Sequence, residues 1–238
     1  MENTLIAYMN KRLTKEASPG KGIYEPGPVI TISRESGCNG SSLARSLAGH
    51  LNQQNPSNQW RVLSKEIFHK SAEELNVDLG TVTKIFKQTD RYLFEEILKA
   101  FSNRQYKSEK IIIKTVVDIL RTFAEEGHCI ILGRAGHIIA KDIQRSLHIR
   151  VVAPLEYRLK VIMKKNNLNR AGALVLMRKI ENERIAFRKA INEGLCEDNF
   201  DLTLNRASFD RHSMIELIDK AIRVKKILPL KKQKAKIF

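Results

Sequence analysis

The stretch Val29-Ile30-Thr31-Ile32-Ser33-Arg34-Glu35-Ser36-Gly37-Cys38-Asn39-Gly40-Ser41-Ser42 begins as an apolar, β-branched run and ends in a glycine-bearing turn. Its first five residues predict a buried strand. Leu43, Leu47 and Leu51 follow at i, i+4 and i+8, which predicts a helix from about Ser42 to Asn52. Strand, glycine-rich loop and helix in that order suit a phosphate. Glycines let the backbone approach it, and a helix N-terminus offers unpaired N–H groups and a positive dipole end. Gly37, Cys38, Asn39, Gly40, Ser41 and Ser42 are therefore candidate phosphate-binding residues, and the Ser42 hydroxyl is a candidate for a phosphate-bound magnesium ion. The full G-x-x-x-x-G-K-[ST] pattern is absent, because Ser41-Ser42 follows Gly40 with no lysine. Taken alone, the segment also reads as an ordinary turn before a helix.

Upstream, residues 3–16 carry Leu5, Ile6, Met9 and Leu13 on one stripe, which predicts a short amphipathic helix. Ser18-Pro19-Gly20 and Pro26-Gly27-Pro28 break the chain after it, so residues 1–27 are expected to be a helical arm and linker. Downstream, Arg61-Val62-Leu63 is a possible second strand. From 65 to 126 the pattern is helical with a few breaks, a long insertion between strands. Cys129-Ile130-Ile131-Leu132 predicts a third strand and Leu147 to Val152 a fourth. Pro154 falls where the first position of a helix is expected. A strong helix covers 171–192, a fifth strand runs from Phe200 to Asn205, and a closing helix spans 210–226. Strands alternating with helices predict an α/β domain with a mostly parallel sheet.

The chain has 238 residues, of which 42% are apolar and 29% charged, so it is expected to fold rather than remain disordered. No apolar run approaches the ~18 residues a membrane span needs. The start, Met1-Glu2-Asn3-Thr4, lacks a basic region followed by an apolar one, so a secretory leader is not expected. Cys38, Cys129 and Cys196 are too few and too scattered for a disulfide framework or a zinc site, which makes a reducing cytoplasm the expected compartment. The formal net charge is +16, which favours anionic partners: nucleotides, nucleic acid or an acidic surface. Part of it is local, since six lysines lie between Lys225 and Lys236, and residues 227–238 are expected to be a basic tail. Aromatic residues are only 6% and do not interleave with the basic stretches, so a stacking platform for single strands is not suggested.

Two further features bear on chemistry. Gly133-Arg134-Ala135-Gly136 follows the third strand, at the end of the sheet where open α/β folds bind ligands. Arg134 there has room to grip a phosphate with its planar fork, the alternative being an exposed arginine in a turn. Arg158 lies on the helix opened by Pro154, and Glu181, Arg184 and Arg188 share a face of the next. Such arginines can clamp a transferring phosphoryl group, or they can be a solvated face with a Glu–Arg pair. The six histidines show no ligand spacing and no shared face.

Together these segments resemble a known family. Ile30 to Gly40, Ile131-Leu132-Gly133-Arg134, Val152 to Arg158, Glu181-Asn182-Glu183-Arg184 and Phe200 to Asn205 occur in the order seen in the cytidylate kinase-like family, a divergent bacterial branch of the P-loop nucleoside monophosphate kinases. The resemblance runs from about Val29 to Ile222, with Ser33-Arg34-Glu35 and Gly133-Arg134 its most diagnostic pieces. It implies a three-layer P-loop fold with a five-stranded, mostly parallel sheet. The kinase-like domain would span 28–226, with 65–126 as the acceptor-side insertion and about 154–192 as a lid. It implies ATP and Mg²⁺ as cofactors, with ATP phosphates on loop residues 37–42 and an acceptor monophosphate near Arg134. It also implies a catalytic role for Arg158, Arg184 and Arg188. The chain departs from the true cytidylate kinases at two places. Their loop lysine falls on Gly40, and their acidic-Gly-Arg-Asp stretch falls on Leu132-Gly133-Arg134-Ala135, without either carboxylate. Arg34, at the strand end, is the candidate to supply the missing charge to the phosphates. The expected function is phosphoryl transfer from ATP to a nucleoside monophosphate or a related small substrate. The alternatives are a nucleotide-binding protein without turnover and, from charge alone, a nucleic-acid-binding protein.

Overall fold

A computed structural model describes residues 26–64, 117, 120–191 and 199–228. Most of the expected N-terminal arm, most of the 65–126 insertion, the last residue of the expected lid and most of the basic tail lie outside these residues. Five strands form one sheet: β1 (Val29–Arg34), β2 (Arg61–Leu63), β3 (Cys129–Leu132), β4 (Ser146–Val152) and β5 (Leu202–Asn205). Their spatial order is β2-β3-β1-β4-β5, and every pairing is parallel. The helices are α1 (Gly40–Gln54), α2 (Gly136–Ile139), α3 (Leu155–Asn166), α4 (Arg170–Ile191) and α5 (Arg211–Val224), with a further helical stretch at 120–126. This is the expected α/β architecture, a parallel five-stranded sheet flanked by helices. No helix among the described residues is long and apolar enough to cross a membrane.

Strand alternation decides which face carries the core. Ile30, Ile32, Ile130, Leu132, Leu147, Ile149, Val151 and Leu204 share one apolar cluster with Leu43, Leu47 and Leu51 of α1 and Met214, Ile218 and Ile222 of α5. The leucine stripe read in the sequence is therefore the face that α1 lays on the sheet. Burying each such side chain contributes roughly 1.5–3 kcal/mol.

The other face is polar at its centre. Register pairs Thr31 with His148 and Ser33 with Arg150. Thr31 Oγ1 lies 2.9 Å from His148 Nδ1, and Ser146 Oγ lies 3.2 Å from His148 Nε2. Burial pushes the His148 pKa down to about 4, the attraction of Asp201 opposing it only in part. In the unfolded chain histidine titrates near 6.5, so between about pH 6.5 and 4 the unfolded state binds the extra proton. Stability should fall with acidification across that window, by at most about 1.4 kcal/mol per pH unit from this group. Urea melts of the wild type and a His148→Gln variant from pH 7 to 4 measure it. The variant should have the shallower profile.

Element ends differ from expectation by small amounts with local causes. The first helix begins at Gly40 rather than near Ser42, because Asn39 in the left-handed conformation (φ 53°) makes the turn into it. Pro154 is the residue before α3 rather than its first residue; its extended ψ of 148° keeps it outside the helix. The fifth strand starts at Leu202, since Asp201 instead uses its carboxylate to accept the His148 N–H at 2.7 Å. Asp210 caps α5 by accepting from Ser213 N–H at 2.8 Å. Two breaks, at Asn167 (φ 51°) and Asn169, fold α4 back on α3 over Leu159, Ile162, Ala173 and Met177.

Candidate phosphate-binding site

Because the strands are parallel, β1, β3 and β4 end on the same edge of the sheet, where ligands of such folds bind. After Arg34 the chain leaves the sheet through a compact turn. Glu35 N–H donates to Val151 O at 3.0 Å and Cys38 N–H to Glu35 O at 3.3 Å. Gly37 adopts φ +92°, a conformation that favours glycine. A Cβ on it would lie 2.6 Å from Arg158 O and 2.8 Å from Arg158 Cα. The close approach that demands glycine at this position is thus to the backbone of α3. Bulk at Gly37 would push α3 away, so its effects on folding and on phosphate binding are not separable. Asn39 precedes α1 without a side-chain cap, leaving the first-turn N–H groups of a 15-residue helix uncapped by side chains. Ser41 and Ser42 are half-buried in that turn, and Cys38 is buried, with its pKa raised to about 11 by burial and by Glu35.

Two carboxylates fasten the α3–α4 pair to this loop. Glu35 accepts from Ala153 N–H at 3.1 Å and pairs with Arg158 Nε at 3.3 Å, while the same Nε donates to Ala153 O at 2.9 Å. Glu181 of α4 accepts the Ser36 backbone N–H at 2.7 Å and Arg184 Nη1 at 3.1 Å. That Nη1 also donates to Arg34 O at 2.8 Å. The Glu181–Arg184 pair is therefore a clasp on the loop rather than a solvated surface pair. Burial lowers the Arg184 pKa, and Glu181 partly restores it. The Ser36 hydroxyl is buried beside the clasp, and its Oγ has no hydrogen-bond partner. A buried hydroxyl left without a partner costs about 1–3 kcal/mol.

Beyond β3, Gly133, Arg134 and Ala135 are three successive left-handed residues with φ of 74°, 52° and 51°. Gly133 N–H donates to Ile32 O at 3.0 Å, and Gly136 N–H returns to Gly133 O at 3.0 Å. The tight turn leaves Arg134 half-buried, with Cζ 5.3 Å from the Phe187 ring centroid. Burial pulls its pKa down to about 10, Glu183 opposing and Arg184 adding to the shift. It therefore stays cationic at neutral pH.

A cavity of about 770 Å³ opens here, well within the size range of small-molecule sites. Arg34, Arg134, Arg158, Arg184 and Arg188 all line it, so every arginine singled out in the sequence reaches one space. Gly37 to Ser42 do not appear on its wall among the described residues; they flank it through Arg34 and Glu35. Three further cations line it that the sequence reading passed over: Arg150, Lys165 and Arg178. Arg150 left a signal, being a charged residue inside an apolar strand, in the same alternation as His148. Arg178 lies three residues before Glu181, one turn back along the face already noticed. Against these eight cations stand Glu35, Glu181 and Glu183, an excess of positive charge suited to polyanions.

A family model for the cytidylate kinase-like family matches residues 29–208. A cytidylate kinase from Methanocaldococcus jannaschii is 24% identical over 198 residues, covering 82% of this chain and 97% of that protein. A uronate isomerase from Corynebacterium glutamicum is 27% identical over 114 residues, 47% of this chain, which spans only 21% of that protein's length. Among solved structures, an uncharacterized protein from Eubacterium ventriosum superposes with a TM-score of 0.57 at 19% identity, covering 82% of this chain and 98% of the other. The last shows a shared fold alone. With the family model covering most of the chain, the protein belongs to the cytidylate kinase-like family of P-loop nucleoside monophosphate kinases.

Proposed function

We propose that this protein is a phosphotransferase that moves the γ-phosphoryl group of ATP to a nucleoside monophosphate or a related small phosphorylated acceptor. The carrying observation is the convergence of Arg134, Arg158, Arg184 and Arg188 on one cavity beside the uncapped N-terminus of α1. In this reading the donor phosphates lie against loop residues 37–42, and the Ser36 hydroxyl gains the partner it lacks. Arg134 holds the acceptor's phosphate. An acceptor phosphate oxygen attacks the γ-phosphorus as the bond to the β–γ bridging oxygen breaks, which yields ADP and a diphosphate. Negative charge spreads over the transferring oxygens, and guanidinium groups already held by Glu35, Glu181 and the Arg34 carbonyl stabilise it with little reorganisation.

Among the described residues no group of three or more histidine, cysteine or acidic side chains could hold a metal ion. Magnesium on nucleotides keeps mostly water and phosphate oxygens, so a single hydroxyl donor suffices, and Ser42 in the first turn of α1 is that donor. When bound, the ion neutralises part of the phosphate charge.

A second reading, a nucleotide-binding protein without turnover, is favoured by Gly40 in place of lysine and by Leu132 and Ala135 in place of carboxylates. A coupled assay of ADP formation from ATP, magnesium and each nucleoside monophosphate, beside calorimetric titration of ATP, separates the two. Magnesium-dependent ADP formation with at least one acceptor is expected. ATP binding with no turnover for any acceptor would leave the binder, and no ATP binding would remove both.

A further inference from the structure

We infer that Arg34 is the phosphate-gripping cation of this loop, standing in for the lysine that Gly40 replaces, and that Gly40 and Gly133 are glycines because its side chain runs past both. The inference rests on the donor-loop reading above and names the residue on which that loop depends.

The path of the side chain is fixed by what surrounds it. Arg34 is the last residue of β1. A Cβ on Gly40 would lie 2.9 Å from Arg34 Cγ and 3.3 Å from its Cδ. A Cβ on Gly133 would overlap Arg34 Nη1 and lie 3.1 Å from Cζ. The chain of atoms thus leaves the strand end, crosses the first residue of α1 and carries its guanidinium to the turn after β3, on the wall of the cavity.

Gly40 is the informative position. It lies in a helix and is not among the left-handed glycines, so its backbone does not call for glycine. Glycine is also a poor helix former, so its presence runs against local propensity. Space is what demands it. A lysine at this position, as in the full loop motif, and Arg34 in its observed path would occupy the same volume. The positive charge has moved from the first turn of the helix to the end of the strand, and the helix has given up its side chain to let it pass. Arg184 donates to Arg34 O at 2.8 Å, which anchors the strand end from which the side chain sets out. A guanidinium offers a phosphate two parallel donors where an ammonium offers a point charge.

The test is a swap read by calorimetric binding of inorganic tripolyphosphate and of ATP, with melting curves beside each variant. Arg34→Ala should weaken both ligands by at least tenfold, as expected for losing a charge-assisted phosphate contact. Gly40→Lys alone should also bind weakly, because the two cations collide. The double variant R34A/G40K should recover most of the wild-type affinity. Wild-type affinity in R34A overturns the inference. So do equal weakness of R34A and R34A/G40K in folded proteins, and absence of tripolyphosphate binding by the wild type. If the wild type binds both ligands through Arg34 yet forms no ADP with any monophosphate, the transfer reaction falls and the role of Arg34 stands.

Discussion

Replacing Arg184 with alanine should lower kcat by about two orders of magnitude or more while changing ATP affinity little, because a group that meets charge developing in the transition state acts on the rate. A cost in stability should accompany it. Arg184 Nη1 donates both to the Arg34 carbonyl and to Glu181, and Glu181 in turn holds the Ser36 N–H. Truncation leaves those acceptors short of a donor at a half-buried junction, a loss of about 1–3 kcal/mol rather than the 0.5 kcal/mol of an exposed pair. Arg188 lines the same cavity one turn along α4, and its alanine variant carries the same expectation for kcat. Steady-state kinetics of both variants beside thermal melts decide the matter. A wild type that turns over, with both variants at full kcat, would remove these arginines from the transfer step.

What the sequence disclosed follows from how local each feature is. β1 was legible because a β-branched run closed by a polar, glycine-bearing turn has few other folded uses, and α1 because its leucine stripe repeats at helical spacing. The convergence of Arg134 with Arg158, Arg184 and Arg188 needed the family resemblance, since these residues come from three elements and no spacing rule joins them. The identity of the group pressed on Gly37 was not legible. Positive φ and tight contact look alike in sequence whether the neighbour is a phosphate or the backbone of α3. The Ser36–Glu181 clasp was equally hidden, spanning 145 residues and using a backbone donor, which every residue but proline carries. The short helix α2 gave no signal either: four residues show no period, and it forms because the turn before it delivers Gly136 onto Ile131, where a Cβ would lie 2.7 Å from that side chain. Two of the missed site residues left a readable trace: Arg150, a charge where a parallel strand expects an apolar side chain, and Arg178, one turn before Glu181 on the same helix face.

Arg134→Ala should weaken acceptor monophosphate binding by about ten- to more than a hundredfold and spare ATP, from the loss of a charge-assisted contact of about 1.5–3 kcal/mol. The site is built around this one side chain. Three consecutive left-handed residues, two of them not glycine, hold the turn that presents it, and such conformations persist only where the surroundings impose them. The guanidinium rests over Phe187, and Glu183 helps keep it charged despite burial. Alanine already tolerates the neighbouring left-handed position at Ala135, so the variant should keep the turn and remove only the fork. Arg134→Lys keeps the charge but loses the planar pair of donors and the stacking, and should fall between wild type and alanine. Calorimetric titrations of a nucleoside monophosphate and of ATP into all three proteins give the comparison. Equal loss for both ligands would place Arg134 among the donor contacts. No loss for either would make the strained turn a structural device, with the acceptor phosphate held elsewhere among the cations of the cavity.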